Sequence, residues 1–141
     1  RFTARLEKAK PTAREELNEA WFGYSNPNPA HYDHARYRAI NLNNVWRTGT
    51  VEVRAFNGTN HAGEVKSHII LCLAIAALAK NAKCASTKNQ RPFCAESAKY
   101  DMRVFLLRLG LIGPEFKNVR MHLLKHLPGN TAWKHGRPEG R

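Results

Sequence analysis

Apolar residues recur at helical spacing in four stretches of the chain and at alternate positions in two. The alternating stretches predict strands over Tyr37–Leu42 and Thr50–Phe56, because successive side chains of a strand face opposite sides. In the second strand Val51, Val53 and Ala55 form the expected core face, leaving Thr50, Glu52, Arg54 and Phe56 on the other. In the first, Arg38, Ile40 and Leu42 share one face and Tyr37, Ala39 and Asn41 the other. The Asn43-to-Gly49 connection is short enough to pair the two strands antiparallel. That pairing would bring Asn41 near Glu52 or Arg54, either as a substrate hydrogen-bond group or as a cap on the strand backbone.

The helical stretches are longer. Phe2 to Phe22 reads as helix broken at Pro11, restarted by Thr12 with Glu15 in a capping box and carrying Leu17, Ala20 and Trp21 as its apolar stripe. Asn57 to Asn60 reads as a turn offering an N-cap to a helix over 62–83. There Val65, Ile69, Cys72, Leu73 and Ala76 make one stripe, widened by Ile70, Ala74, Ala77 and Leu78. An apolar surface that wide predicts a central helix buried on more than one side. A helical hairpin is expected over 95–127, its first helix closing at Gly110 and its second opening at Pro114. Phe116, Val119, Leu123 and Leu127 line the second helix's apolar side. Tyr24 to Ala30 and Ser86 to Pro92 read as loops. The expected fold is α+β, with a small antiparallel sheet packed on a long central helix plus the hairpin. One domain is expected over 1–141, with a helical lead-in and loop over 1–30 and a strand–strand–helix core over 36–83.

Charge changes the picture more than composition does. The chain of 141 residues carries a formal net charge of +12. Residues 1–70 hold ten Lys/Arg against seven Asp/Glu, and residues 71–141 hold thirteen against four. A basic second half attracts phosphate-rich partners, nucleotide or nucleic acid. The two hairpin helices, the second bearing Lys117, Arg120, Lys125 and His126, superficially match a helix-turn-helix, but without base-reading Asn, Gln or Arg at recognition positions an ordinary hairpin with a solvated basic face is the plainer reading. Three cysteines, Cys72, Cys84 and Cys94, have no metal-type spacing and no even count for a disulfide framework, so a reduced, cytoplasmic protein is expected. The apolar run from Ile69 to Ala79 is too short to span a bilayer, and no membrane association is expected.

Candidate chemistry concentrates on the second strand. Glu52 and Arg54 stand side by side on one face, a carboxylate suited to a hard cation and a guanidinium suited to a carboxylate or phosphate. A solvated surface ion pair has the same spacing. His31, Asp33 and His34 could contribute to a metal site or simply line a loop. His61 and His68 read as structural histidines at the start and flank of the long helix. His122 and His126 have the spacing used by zinc proteases, but Leu123 stands where the glutamate belongs, which excludes that chemistry.

The run Tyr37-Arg-Ala-Ile-Asn-Leu-Asn-Asn-Val-Trp46, then Gly49-Thr-Val-Glu-Val-Arg-Ala-Phe-Asn-Gly-Thr59 and the helix from His61, resembles the amidoligase family, ATP-dependent carboxylate–amine ligases related to glutamine synthetase. The likeness continues through Ala98–Gly113 to Leu123 and Trp133, and is nearest to members carried by bacterial conjugative elements. It implies the carboxyl-terminal part of a larger enzyme with a glutamine-synthetase-like fold, using ATP and Mg²⁺ to join a carboxylate to an amine, with a peptide or protein among the candidate substrates. By that resemblance Glu52 is a Mg²⁺ ligand and Arg54 clamps the phosphoryl group or the substrate carboxylate. Relatives often carry an arginine two residues before this glutamate; Thr50 stands there, and Arg47 is the candidate to make its nucleotide contact. Asn41 is the candidate substrate contact. A nucleic-acid-binding module of a mobile element and a catalytically inert interaction fragment are the alternatives.

Overall fold

The computed structural model describes residues 2–83 and 92–136. Cys84 and most of the expected Ser86–Pro92 loop lie outside the described residues. The chain divides into two units, 1–57 and 58–141. The described residues form five α-helices and one two-stranded antiparallel sheet, an α+β composition. Both strands belong to the first unit and the long helix to the second.

The first unit opens with α1 (Phe2–Ala9) and α2 (Arg14–Phe22), broken where Lys10 turns to φ +43° before Pro11. The restart differs from the predicted capping box. Helix α2 begins one residue later, with Ala13 at the N-cap and Glu16 three residues on. Ala13 has no side-chain acceptor, so Glu16 does the capping: its Oε2 accepts from the Thr12 amide at 2.8 Å, the Thr12 hydroxyl at 3.2 Å and the Ala13 amide at 3.4 Å. Helix α2 buries Ala20 and Trp21 as its stripe predicts, and also Asn18. That side chain mimics a strand partner: Asn18 Nδ2 donates to the Asn26 carbonyl at 2.8 Å and its Oδ1 accepts the Asn26 amide at 2.7 Å, pinning the following loop. At the other end, Arg5 and Arg38 both donate to the Trp21 carbonyl, where cationic groups complement the negative end of a helix.

The strands are shorter than predicted: β1 is Ile40–Asn41 and β2 is Glu52–Val53, paired Ile40 to Val53 and Asn41 to Glu52. Tyr37 instead ends a 3₁₀ turn, His34–Tyr37, which Asp33 initiates by accepting the Ala35 amide at 2.8 Å. The predicted core face is also exposed, and what is covered is the Asn41–Glu52 pair on the other face. Val51 and Val53 are 58% and 40% exposed, and Ala55 is exposed, whereas Asn41 is buried and Glu52 half-buried. The reason is polar satisfaction. Asn41 makes two side-chain hydrogen bonds on the inner side, and a buried amide must be paired wherever it sits. Isolated valines on a two-residue ribbon lose much less by facing water.

In the second unit, α3 (Ala62–Asn81) is capped by His61, whose Nδ1 accepts from the Gly63 amide, and not by the Asn57–Asn60 turn. Of its residues only Ser67 and Leu71 are buried; Ile69, Leu73 and Leu78 are about half-exposed or more. Among the described residues of its own unit the helix is covered along one side, short of the burial on more than one side that its stripe predicts. Within the unit α5 is the element packed along it, and one neighbouring helix covers only one strip of a cylinder. At 20 residues, with an 18-residue stretch of mean hydropathy 1.6, α3 is long and apolar enough to cross a membrane by length and composition alone, a property shared with core helices; the shorter apolar run measured from sequence understated it.

Helices α4 (Ala98–Arg108) and α5 (Lys117–Leu124) form the hairpin, each starting two to three residues later than predicted. Leu106, Leu111, Val119 and Leu124 are buried there. Gly110 takes φ +79° just past α4, the left-handed conformation that glycine adopts freely. Arg120 closes the connection by donating to the carbonyls of Leu111 at 2.7 Å and Gly113 at 3.0 Å.

Candidate functional site

The residues that sequence singled out on the two strands meet in the first unit as one hydrogen-bonded chain. It starts in the core. Trp21, fully buried, donates its indole N–H to Asn43 Oδ1 at 3.1 Å. The Asn43 amide donates to Asn41 Oδ1 at 2.9 Å, and Asn41 Nδ2 donates to Glu52 Oε2 at 2.7 Å. Arg54 Nη1 then donates to Glu52 Oε1 at 3.1 Å. Both carboxylate oxygens of Glu52 are thus fixed, one from the buried side and one from the exposed side. A surface Glu–Arg pair is ordinarily loose and contributes little; here a buried amide sets the orientation of the carboxylate.

The electrostatics follow from that wiring. The Asn41 hydrogen bond, ahead of the charges of Arg54 and Arg36, holds the Glu52 carboxyl below the usual carboxylate range, against the opposing effect of partial burial. The group stays ionised at neutral pH. A carboxylate has about four lone-pair sites, of which two are used here, so its remaining sites can take a hard cation. Arg54 spends one of its N–H groups on Glu52 and lies 5.6 Å from the Tyr37 ring centroid, with Arg36 on the same ring at 5.8 Å. Two guanidinium groups around one aromatic ring leave donors for an anion.

Arg47 has a different partner: its Nη1 lies 3.0 Å from His31 Nδ1. Thr50, where relatives carry arginine, shares a hydroxyl hydrogen bond of 2.9 Å with Thr48. Asp33 is occupied in capping its 3₁₀ turn, and His31, Asp33 and His34 form no metal-type cluster among the described residues. Sequence reasoning missed Tyr37, Arg36 and the Trp21–Asn43 support. The Asn41-x-Asn43 spacing could have signalled the last of these, since an asparagine side chain commonly accepts the amide two residues on. The basic face expected on α5 is partly consumed: Arg120 binds backbone carbonyls, and Lys125 pairs with Glu64.

A family model described as "Putative amidoligase enzyme" matches residues 1–76. The matched span takes in α1, α2, both strands and the first part of α3, and so contains every member of the hydrogen-bonded chain. It reaches ahead of Tyr37 and stops short of the α4–α5 hairpin, so the likeness read over Ala98–Trp133 lies outside it. No curated protein and no solved structure matches the chain.

Proposed function

The chain belongs to the amidoligase family, and from that premise we propose that its Glu52–Arg54 strand serves ATP-dependent joining of a carboxylate to an amine through an acyl phosphate. The observation that carries this reading is the fixed Glu52 carboxylate with Arg54 beside it and Asn41 beneath it. In such a reaction a carboxylate oxygen forms a bond to the γ-phosphorus of ATP as the bond to ADP breaks. The amine nitrogen then attacks the acyl carbon, phosphate leaves with the C–O bond electrons, and the nitrogen loses a proton. The barrier lies largely in the charge spread over the transferring phosphoryl oxygens, which positioned cations stabilise.

Each residue has a role matched to its chemistry. Glu52 is the one carboxylate in the group, and Mg²⁺ commonly takes one or two carboxylates with substrate phosphates and water completing its shell. The donor set therefore fits a Mg²⁺–nucleotide, with Glu52 as the protein ligand. When bound, the metal supplies neutralisation of phosphate charge. Arg54 presents planar paired donors to the phosphoryl group or the substrate carboxylate. Asn41 keeps Glu52 from rotating and is a positioning residue, since both ends of its amide are engaged. Arg47 would reach the nucleotide only by leaving His31. Glutamine-synthetase-like architecture, cytoplasmic location and carriage on a mobile element belong to this same proposal.

Calorimetric titration of Mg²⁺–ATP into the protein and its Glu52→Gln and Arg54→Lys variants tests the reading. Binding that is lost in Glu52→Gln and weakened at least tenfold in Arg54→Lys supports it. No binding, or binding indifferent to both substitutions, overturns it.

A further inference from the structure

The second unit holds another constellation, built at the seam between α3 and α5. His61 caps α3, Glu64 stands one turn into it, and His122 comes from α5. One candidate ligand atom from each lies within 4.8 Å of the other two, and the imidazoles sit 4.9 Å apart by ring centroid. We propose that His61, Glu64 and His122 form a Zn²⁺ site that clips the first turn of α3 to α5.

Two further features point to a ligand here. His122 Nδ1 is buried and has no hydrogen-bond partner, an expensive state for an imidazole nitrogen. Gly63 supplies the second. Its φ is not in the left-handed region, so its backbone does not call for glycine, and glycine in a helix is about 1 kcal/mol worse than alanine. What calls for it is space: a Cβ at Gly63 would lie 2.5 Å from His122 Nε2 and 3.0 Å from His61 Cε1. The missing side chain is what lets the two imidazoles close over the helix start.

The donor set matches zinc chemistry. Two imidazoles and one carboxylate make a three-ligand zinc shell with a fourth position open to water. Tetrahedral ligands at zinc distances stand ~3.3 Å apart, so the widest separation closes by ~1.5 Å, within reach of side-chain rotation. A cation already sits on this carboxylate, because Lys125 Nζ pairs with Glu64 Oε1 while the Thr59 hydroxyl donates to Oε2 at 2.6 Å. Zinc displaces Lys125. His61 gives up the Gly63 amide when it binds metal, and that amide is exposed, so water replaces the lost acceptor.

Competition of the protein against a chromophoric chelator for Zn²⁺, with Co²⁺ absorption as a second readout, tests the site. One equivalent should bind, and Co²⁺ should give weak visible bands without a thiolate charge-transfer band, since no cysteine is involved. Gly63→Ala should lose tenfold or more in affinity as its methyl displaces His122, with circular dichroism checking that the variant keeps its helices. His122→Gln should lose as much. Lys125→Met should bind zinc more tightly, because it removes the competing cation. A purely structural Glu64–Lys125 pair predicts no such gain. Failure of the wild-type protein to bind, a thiolate band, or affinity unchanged in Gly63→Ala or His122→Gln overturns the proposal. Nucleotide takes no part in these measurements, so they stand or fall apart from the ligase reading.

Discussion

Trp21→Phe tests whether the first unit is organised by the hydrogen-bonded chain that ends at Glu52. The substitution keeps an aromatic ring in a fully buried position, and with it the surface under the Arg38 guanidinium 4.2 Å from the ring centre. It removes the indole N–H that satisfies Asn43 Oδ1 at 3.1 Å. Asn43 is buried and its Nδ2 already has no hydrogen-bond partner. Stripping the oxygen as well costs about 1–3 kcal/mol for an unsatisfied buried polar atom. The space left by the smaller ring adds about 1 kcal/mol. With a urea m-value of about 1–3 kcal/mol/M, the combined loss lowers the unfolding midpoint by roughly 1–2 M, read by circular dichroism. A double-mutant cycle with Asn43→Leu separates the two contributions. Replacing both partners by apolar groups restores part of the loss, giving a coupling of about 1 kcal/mol. A coupling within ~0.3 kcal/mol of zero would mean that Asn43 does not depend on Trp21, and that the chain is a set of independent contacts.

Asn41→Ala should return the Glu52 carboxyl upward towards its ordinary range, because Asn41 is the leading cause of its depression; side-chain carboxyl NMR titration reads the shift, and an unmoved value rules out that cause. Glu16 is depressed in the folded chain, chiefly by the Thr12 amide, so the folded state binds fewer protons than the unfolded one. Its stabilisation is complete above the ordinary carboxylate range and is lost as pH falls through the lowered value; Glu16→Gln should flatten that part of the stability–pH curve. Cys94 is exposed and its thiol is lowered, first by the Ser97 amide, so it should alkylate faster than half-buried Cys72, as peptide mapping by mass spectrometry would show. Leu106→Ala in the fully buried core of the hairpin should cost about 2–5 kcal/mol, and a thermal midpoint nearly unchanged would show that the site collapses around the smaller side chain.

Several elements were legible because their causes are local. The break before Pro11, the loop after α2, the Gly110 stop and the 62–81 helix follow from turn chemistry and periodicity within a few residues. The adjacency of Asn41 and Glu52 was also legible, since a short connection between two alternating stretches fixes an approximate register. The cap of α2 was misplaced by one residue, because Thr12–Glu15 carries the capping-box signature, whereas the helix start is held by Glu16 alone, whose carboxylate takes both the Thr12 and Ala13 amides.

The sequence by itself determined the kinds of element, the pairing of the two strands, the Glu52–Arg54 couple and, through the order of its motifs, the family. Tertiary structure alone decided which way each element faces. Alternation in a strand states that two faces differ, yet not which residues turn inward; the Trp21–Asn43–Asn41 hydrogen bonds drew Asn41 and Glu52 in and left the valines out. A wide apolar stripe on α3 likewise states what could be buried, not what lies against it, and among the described residues of its unit α5 is the helix packed along it. His61 and His122 are 61 positions apart, and no spacing rule joins them. They meet because α5 packs on the first turn of α3 where Gly63 leaves room, a juxtaposition set by helix packing.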